Sequence, residues 1–205
     1  MIKKFENFIF DFDGTMVNSN KYHSFAFRKA LDCKKKSIEF DYENIKGLTT
    51  RKAFKKIGIK NKIEEFIKLK KLIFRSLINK IKLYKNCKET IISLKKKNKK
   101  IFIVSGSSQK NINFILRKNK IKTDGIIHAG STKFSKPHIM PYKTCLKKFK
   151  LKKNKSVAVE DSLSGLISAK KNGLATIGIN NKKIKDKSDL FFLNFSEFLQ
   201  KSNKL

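Results

Sequence analysis

The chain has 205 residues, enough to bury one good core or a core with a small insertion. Its 50 Lys and Arg against 16 Asp and Glu give a formal net charge of +34, yet only four of the basic residues are arginine: Arg28, Arg51, Arg75 and Arg117. No run of about 18 apolar residues marks a membrane span, Cys33, Cys87 and Cys145 are too widely spaced for a disulfide framework or a zinc site, and the scarcity of arginine forks argues against base-specific reading of nucleic acid.

The N-terminal Met1-Ile2-Lys3-Lys4-Phe5-Glu6 lacks the apolar stretch and cleavage site of a signal peptide, and a first strand is expected over 7–11. Over 17–83 no buried strand is evident. Amphipathic patterns there predict helices over 24–31, 51–57 and 63–81, read as an all-helical insertion. A helix carrying Ile91, Ile92 and Leu94 then precedes a strand over 101–104. Ile112, Ile115 and Leu116 follow at helical spacing. Further strands are expected over 125–128, 156–159 and 176–179. Between the last two, Leu163, Leu166 and Ile167 mark a helix stopped by Gly173. The last few residues are expected to fray. Strands alternating with helices predict an α/β fold with a Rossmann-like parallel sheet covered on both faces. The organisation expected is a catalytic core of 1–16 and 84–205 with a helical cap at 17–83.

The chemistry concentrates where these strands end. Asp11 and Asp13 lie two residues apart, and in an extended segment alternate side chains share a face. Two such charges are tolerable only with a cation between them or a proton on one; the alternative is a solvated Asp-x-Asp-Gly turn. After the strand over 101–104, Ser105-Gly106-Ser107-Ser108 opens a helix, a ready site for an anion. Lys136-Pro137 presents an amine on a turn stiffened by proline. Glu160-Asp161-Ser162 follows the strand over 156–159. In an open parallel sheet these strand ends converge on one crevice. Four carboxylates there call for a metal, and Mg²⁺ takes oxygen ligands together with substrate phosphate. A hydroxyl, helix N–H groups and a lysine suit phosphoryl oxygens. The set describes phosphoryl transfer.

Asp11-Phe12-Asp13-Gly14-Thr15, Ser105, Lys136-Pro137 and Val159-Glu160-Asp161-Ser162 with Gly165 and Ala169 resemble the four signature motifs of the haloacid dehalogenase-like phosphohydrolases, in order and spacing from about Phe8 to Ile179. The last block is similar to the branch with a helical cap after the first strand, which includes β-phosphoglucomutase and small phosphate-ester phosphatases. The resemblance implies Asp11 as nucleophile, forming an aspartyl-phosphate, and Asp13 as general acid and base. Ser105 and Lys136 would hold phosphoryl oxygens, with Gly14, Thr15 and Gly106 among the substrate-binding positions. Mg²⁺ would be bound by the Asp11 carboxylate, the Asp13 carbonyl and Asp161, with Glu160 as fourth ligand or behind it. Dehalogenating relatives lack the second aspartate, so that reaction is excluded.

The cap carries less information. Tyr22-His23-Ser24 resembles the start of a mutase-type cap, in which His23 would lie near the leaving oxygen; a packed helix histidine is the alternative. Gly47-Leu48-Thr49-Thr50-Arg51 is similar to a loop whose arginine grips a distal phosphate; an arginine pairing with a surface carboxylate is equally consistent. Lys71 is a candidate cap lysine among many lysines. Asn18, Ile139 and Tyr84-Lys85-Asn86 depart from the family pattern without removing a catalytic group, and His128 and His138 receive no role. The lysines are spread through every segment beside abundant Asn, Ile and Phe, as A/T-rich coding would give, although the charge should raise encounter rates with phosphorylated molecules. The expectation is a Mg²⁺-dependent phosphatase for a small phosphorylated metabolite, a sugar phosphate by class. It is cytoplasmic, a monomer or weak dimer, and binds no membrane or specific nucleic acid, its thiols being buried or inert. A phosphomutase is the alternative, and a basic nucleic-acid-binding protein a remote one.

Overall fold

The computed structural model describes residues 2–204. In chain order it contains β1 (Asn7–Phe10), α1 (Asn20–Asp32), α2 (Thr50–Lys56), α3 (Ile63–Ser76), α4 (Cys87–Lys96), β2 (Lys100–Val104), α5 (Gln109–Lys118), β3 (Gly125–Ile127), α6 (Met140–Lys148), β4 (Ser156–Glu160), α7 (Leu163–Lys170), β5 (Ala175–Ile179), β6 (Leu190–Phe192) and α8 (Phe195–Asn203). The six strands form one parallel sheet in the order β3-β2-β1-β4-β5-β6. The α/β architecture read from the sequence is the one observed.

The pleat explains why β1 is apolar throughout. Phe8 and Phe10 project into one layer with Phe195 and Phe198 of α8 and Ile91 of α4, while Ile9 projects into the other with Phe102, Tyr142 and Ala158. Both faces are covered, so alternation gives way to a continuous run. Strand order reverses about β1, which lies between β2 and β4. The segments leaving β1, β2 and β4 therefore bound one crevice.

Helices α1–α3 build a separate apolar cluster of Phe27, Leu31, Phe54, Phe66 and Ile67. The chain enters and leaves this insertion side by side: Val17 pairs antiparallel with Leu83, and the N–H of Tyr84 donates to the carbonyl of Met16 at 3.0 Å.

One expectation is corrected. The helix expected over 63–81 ends at Ser76 and continues as a short 3₁₀ turn, Ile78–Lys80, which returns the chain to the sheet with Ile81 buried. α8 runs to Asn203 and buries Phe195, Phe198 and Ser202; the end of the segment expected to fray, Leu205, lies outside the described residues. Of the three free thiols, Cys87 and Cys145 are buried and Cys33 is exposed. No helix among the described residues is long and apolar enough to cross a membrane.

Candidate active site

Asp11 is the first residue past β1, its N–H bound to the Val159 carbonyl at 2.9 Å, so the sheet ladder fixes where its carboxylate starts. Three residues on, Gly14 has φ +84°, and a Cβ there would lie 2.1 Å from Asp161 Oδ2. Only glycine gives both that conformation and that closeness. The Lys136 ammonium donates to Asp11 Oδ1 at 2.6 Å, to Glu160 Oε1 at 2.5 Å and to the Val104 carbonyl at 2.7 Å. Lys136 therefore ties the ends of β1, β2 and β4 together. Burial alone would lower its pKa, but Asp11 and Glu160 hold it above the ordinary lysine value.

Glu160 is fully buried and hydrogen-bonded at both oxygens, Oε1 also accepting from Tyr142 at 2.6 Å and Oε2 from Ser162 at 3.3 Å. Ser162 caps α7 by accepting from the Gly165 N–H at 3.1 Å. A Cβ at Gly165 would lie 2.0 Å from the Glu160 carboxyl carbon, so glycine is what lets α7 cross over Glu160. Asp161 Oδ1 accepts from Thr15 at 3.2 Å. Oδ2 is buried without a hydrogen-bond partner among the described residues, although the Lys46 ammonium lies 2.7 Å away.

Asp11, Glu160 and Asp161 present oxygens all within 4.8 Å of one another. Burial pushes all three pKa values up. Three ionised carboxylates against Lys136 and Lys46 leave an excess of one negative charge, and hard oxygen donors with an orphaned Asp161 oxygen fit a divalent cation such as Mg²⁺.

The Asp13 side chain turns away from this trio. Its Oδ1 accepts from Ser19 at 2.9 Å and lies 3.2 Å from His23 Nε2. Its Oδ2 accepts from Ser107 at 2.5 Å and from Ser105 at 3.4 Å. Burial would raise its pKa, but His23, Ser107 and Ser19 bind the charged form and hold it well below the usual carboxylate range. Ser19 stands at the N-cap of α1 without capping it, its hydroxyl being turned to Asp13 instead. His23 stacks on Phe74 with ring centroids 3.9 Å apart, and its Nδ1 lies 2.9 Å from Lys70 Nζ. Burial and Lys70 lower its pKa, so the imidazole is neutral, accepts from Lys70 and donates through Nε2 to Asp13.

These groups open into a cavity of about 640 Å³ between sheet and insertion, lined also by Gly47, Gly106, Lys71, Arg75, Lys110 and Lys133. Asp11, Asp13, Ser105, Lys136, Glu160, Asp161 and His23 are brought together. Gly14 and Thr15 are not at the cavity: both are buried, and they serve Asp161. Arg51 stands on the wall but is exposed and paired with Glu64. Lys71 stands on the cavity wall but is exposed, whereas Lys70, which sequence reasoning missed, is the lysine that meets His23: on α3 the buried positions are Phe66, Ile67, Lys70 and Phe74. That stripe was available in the helical spacing. Ser107, two residues beyond Ser105, also carried a signal, whereas Lys46 and Tyr142 had none to set them apart.

Residues 8–179 match the model of the family described as haloacid dehalogenase-like hydrolase. A pyrophosphatase, PpaX, of Bacillus mycoides is 24% identical over 183 residues, covering 86% of this chain and 84% of that protein. Among solved structures, β-phosphoglucomutase of Clostridium difficile superposes with a TM-score of 0.83 at 24% identity, covering 98% of this chain and 97% of that one. CbbY of Rhodobacter sphaeroides, solved with phosphate, superposes with a TM-score of 0.82 at 21% identity, covering 98% and 100%.

Proposed function

Because the chain belongs to the haloacid dehalogenase-like hydrolases, we propose that it is a Mg²⁺-dependent phosphatase of a small phosphorylated metabolite, a sugar phosphate by class, working through an aspartyl-phosphate on Asp11. The observation that carries this reading is the three-way contact of Lys136 with Asp11, Glu160 and the Val104 carbonyl. It fixes Asp11 Oδ1 and leaves the second oxygen of that carboxylate to attack phosphorus.

In the first half-reaction Asp11 displaces the alcohol, and Asp13, ionised in the substrate-free protein, takes up a proton from solvent as the anionic ester binds and then delivers it to the leaving oxygen. In the second, Asp13 takes a proton from the water that cleaves the aspartyl-phosphate. Ser105, the Gly106 N–H and Lys136 neutralise the transferring oxygens, the N–H groups of Ser105 and Ser107 being engaged by the Ile127 carbonyl and Ser105 Oγ. Asp11, the Asp13 carbonyl and Asp161 would hold Mg²⁺, with Glu160 behind them orienting Lys136. The ion supplies charge neutralisation for the phosphoryl group. The insertion over 17–83 acts as the cap on a core of 1–16 and 84–205, with His23 as its contribution to the acid-base residue.

The position of His23 beside Asp13 also favours a phosphomutase reading, and the relative named a pyrophosphatase raises an inorganic or organic diphosphate as a further substrate class. The deciding experiment is phosphate release from a panel of sugar phosphates, other monoesters and diphosphates, with Mg²⁺ and with EDTA, for the wild type and Asp11→Asn. Turnover that needs Mg²⁺ and vanishes in the variant is expected. Isomerisation of a hexose 1-phosphate outpacing phosphate release would establish the mutase instead. Polyanion binding that falls steeply with salt and survives Asp11→Asn, without any turnover, would overturn the enzymatic reading.

A further inference from the structure

Lys46 comes from the helical insertion, yet its ammonium lies 2.7 Å from Asp161 Oδ2 at the end of β4, with the lysine side chain about one-tenth exposed. The contact lacks the alignment of a hydrogen bond, since that oxygen has no partner by geometry. It is a charge placed against a charge. The backbone around it is held: the Lys46 N–H donates to the Tyr42 carbonyl at 2.9 Å. The next residue, Gly47, has φ +75°, and a Cβ there would lie 2.2 Å from Ser164 Oγ. The insertion is thus pressed onto the start of α7 just where Asp161 sits, with a glycine that permits the approach.

We infer that Lys46 is the resident counter-ion of Asp161, and that a divalent cation must displace it, so that metal binding and the seating of the 45–48 loop on the core compete. This rests on the metal reading above. The charges carry the inference: with Lys46 in place the trio and Lys136 keep one excess negative charge, and a divalent ion in its stead would neutralise the group. Two cations sharing one buried carboxylate oxygen would repel strongly in a poorly polarisable site. Lys46 also lines the cavity, so the released ammonium would be available to an anionic substrate there.

The test is calorimetric titration of the full-length, substrate-free protein with Mn²⁺ and with Mg²⁺. If Lys46 occupies Asp161 about nine-tenths of the time, the metal affinity is reduced about tenfold, so Lys46→Met should bind either ion about tenfold more tightly than the wild type. Lys71→Met removes the same charge from the cavity wall without touching Asp161, and should change affinity less than about twofold. A second readout needs no variant: amide hydrogen exchange of residues 45–48 in the wild type should quicken when Mg²⁺ is added. Metal affinity unchanged or weakened in Lys46→Met, an equal gain in Lys71→Met, or slower exchange at 45–48 would each overturn the inference. Absence of metal binding by both wild type and Lys46→Met would instead overturn the metal reading, and this inference with it.

Discussion

His23 Nε2 lies 3.2 Å from Asp13 Oδ1, so a side chain from the first helix of the insertion touches the carboxylate that follows β1. Lys70 donates to the other ring nitrogen and thereby fixes the tautomer that points a proton at Asp13. Asp13 is held in its charged form against the opposing effect of burial. Replacing His23 by Ala removes that hydrogen bond, and the Asp13 pKa should rise. Carboxyl ¹³C titration of Asp13 would read the shift, and kcat should fall about 100-fold, the lower range for a lost acid-base contribution. His23→Gln, which can still donate, should recover part of both. An unmoved Asp13 titration in His23→Ala would refute the coupling.

Lys136 is the only cation in hydrogen-bond contact with Asp11 and Glu160 among the described residues. Replacing it with Met leaves two buried carboxylates facing each other. Breaking a buried pair in this way costs about 3–5 kcal/mol, which urea unfolding at pH 7 would measure, and turnover should be lost. Adding Glu160→Gln removes one of the two charges, so the double variant should be more stable than Lys136→Met alone. Additive losses would show that repulsion is not the cause.

The core was legible because its physics is local to short runs. Phe8-Ile9-Phe10 is apolar on both faces only if both faces are covered, and each later strand repeats that pattern before a polar end. β6 was missed: it is a three-residue edge strand, Leu190–Phe192, whose start is fixed by a distant residue. Asp189 accepts from the N–H and the hydroxyl of Thr176, at 2.8 and 2.7 Å. Within the site, Asp11, Asp13, Lys136 and Asp161 stand at strand ends or on turns where residue type and spacing speak for themselves. Lys46 could not be found that way. In so lysine-rich a chain, only the packing of the insertion on α7 distinguishes Lys46, which meets the buried Asp161 carboxylate, from the lysines around it. Lys70 lies between these cases, since helical spacing favours it over Lys71 but the cation itself argues for the surface.

Gly165 and Gly106 separate steric need from conformational freedom. A Cβ at Gly165 meets three atoms of the Glu160 carboxyl group at 2.0–2.2 Å, whereas one at Gly106 meets nothing within 4 Å. Gly165→Ala should destabilise the fold by about 1–3 kcal/mol, as overpacking does. By displacing Glu160 it should also loosen Lys136 and lower kcat. Gly106→Ala should leave stability within about 0.5 kcal/mol of the wild type. Thermal unfolding of the two variants side by side checks this, and equal losses would contradict the packing account.

Lys70 makes stability depend on pH in an unusual direction. Burial lowers its pKa from the ordinary 10.5 to about 8, with Lys71 lowering it further and Asp13 opposing. Between those two values the unfolded chain holds a proton that the folded chain has released. The wild type should therefore gain stability as pH rises from about 8 to 10.5, and the charged ammonium costs most at pH 7 and below. At about 1.4 kcal/mol per unit, the span is on the order of 3 kcal/mol. Titrating groups away from Lys70 cancel in a comparison with Lys70→Met, whose residue 70 does not titrate. Urea unfolding at pH 7 and at pH 10 should show the wild type gaining on the variant by about 2–3 kcal/mol over that interval. If the two proteins keep a constant stability difference across it, Lys70 does not bury its amine in the folded state.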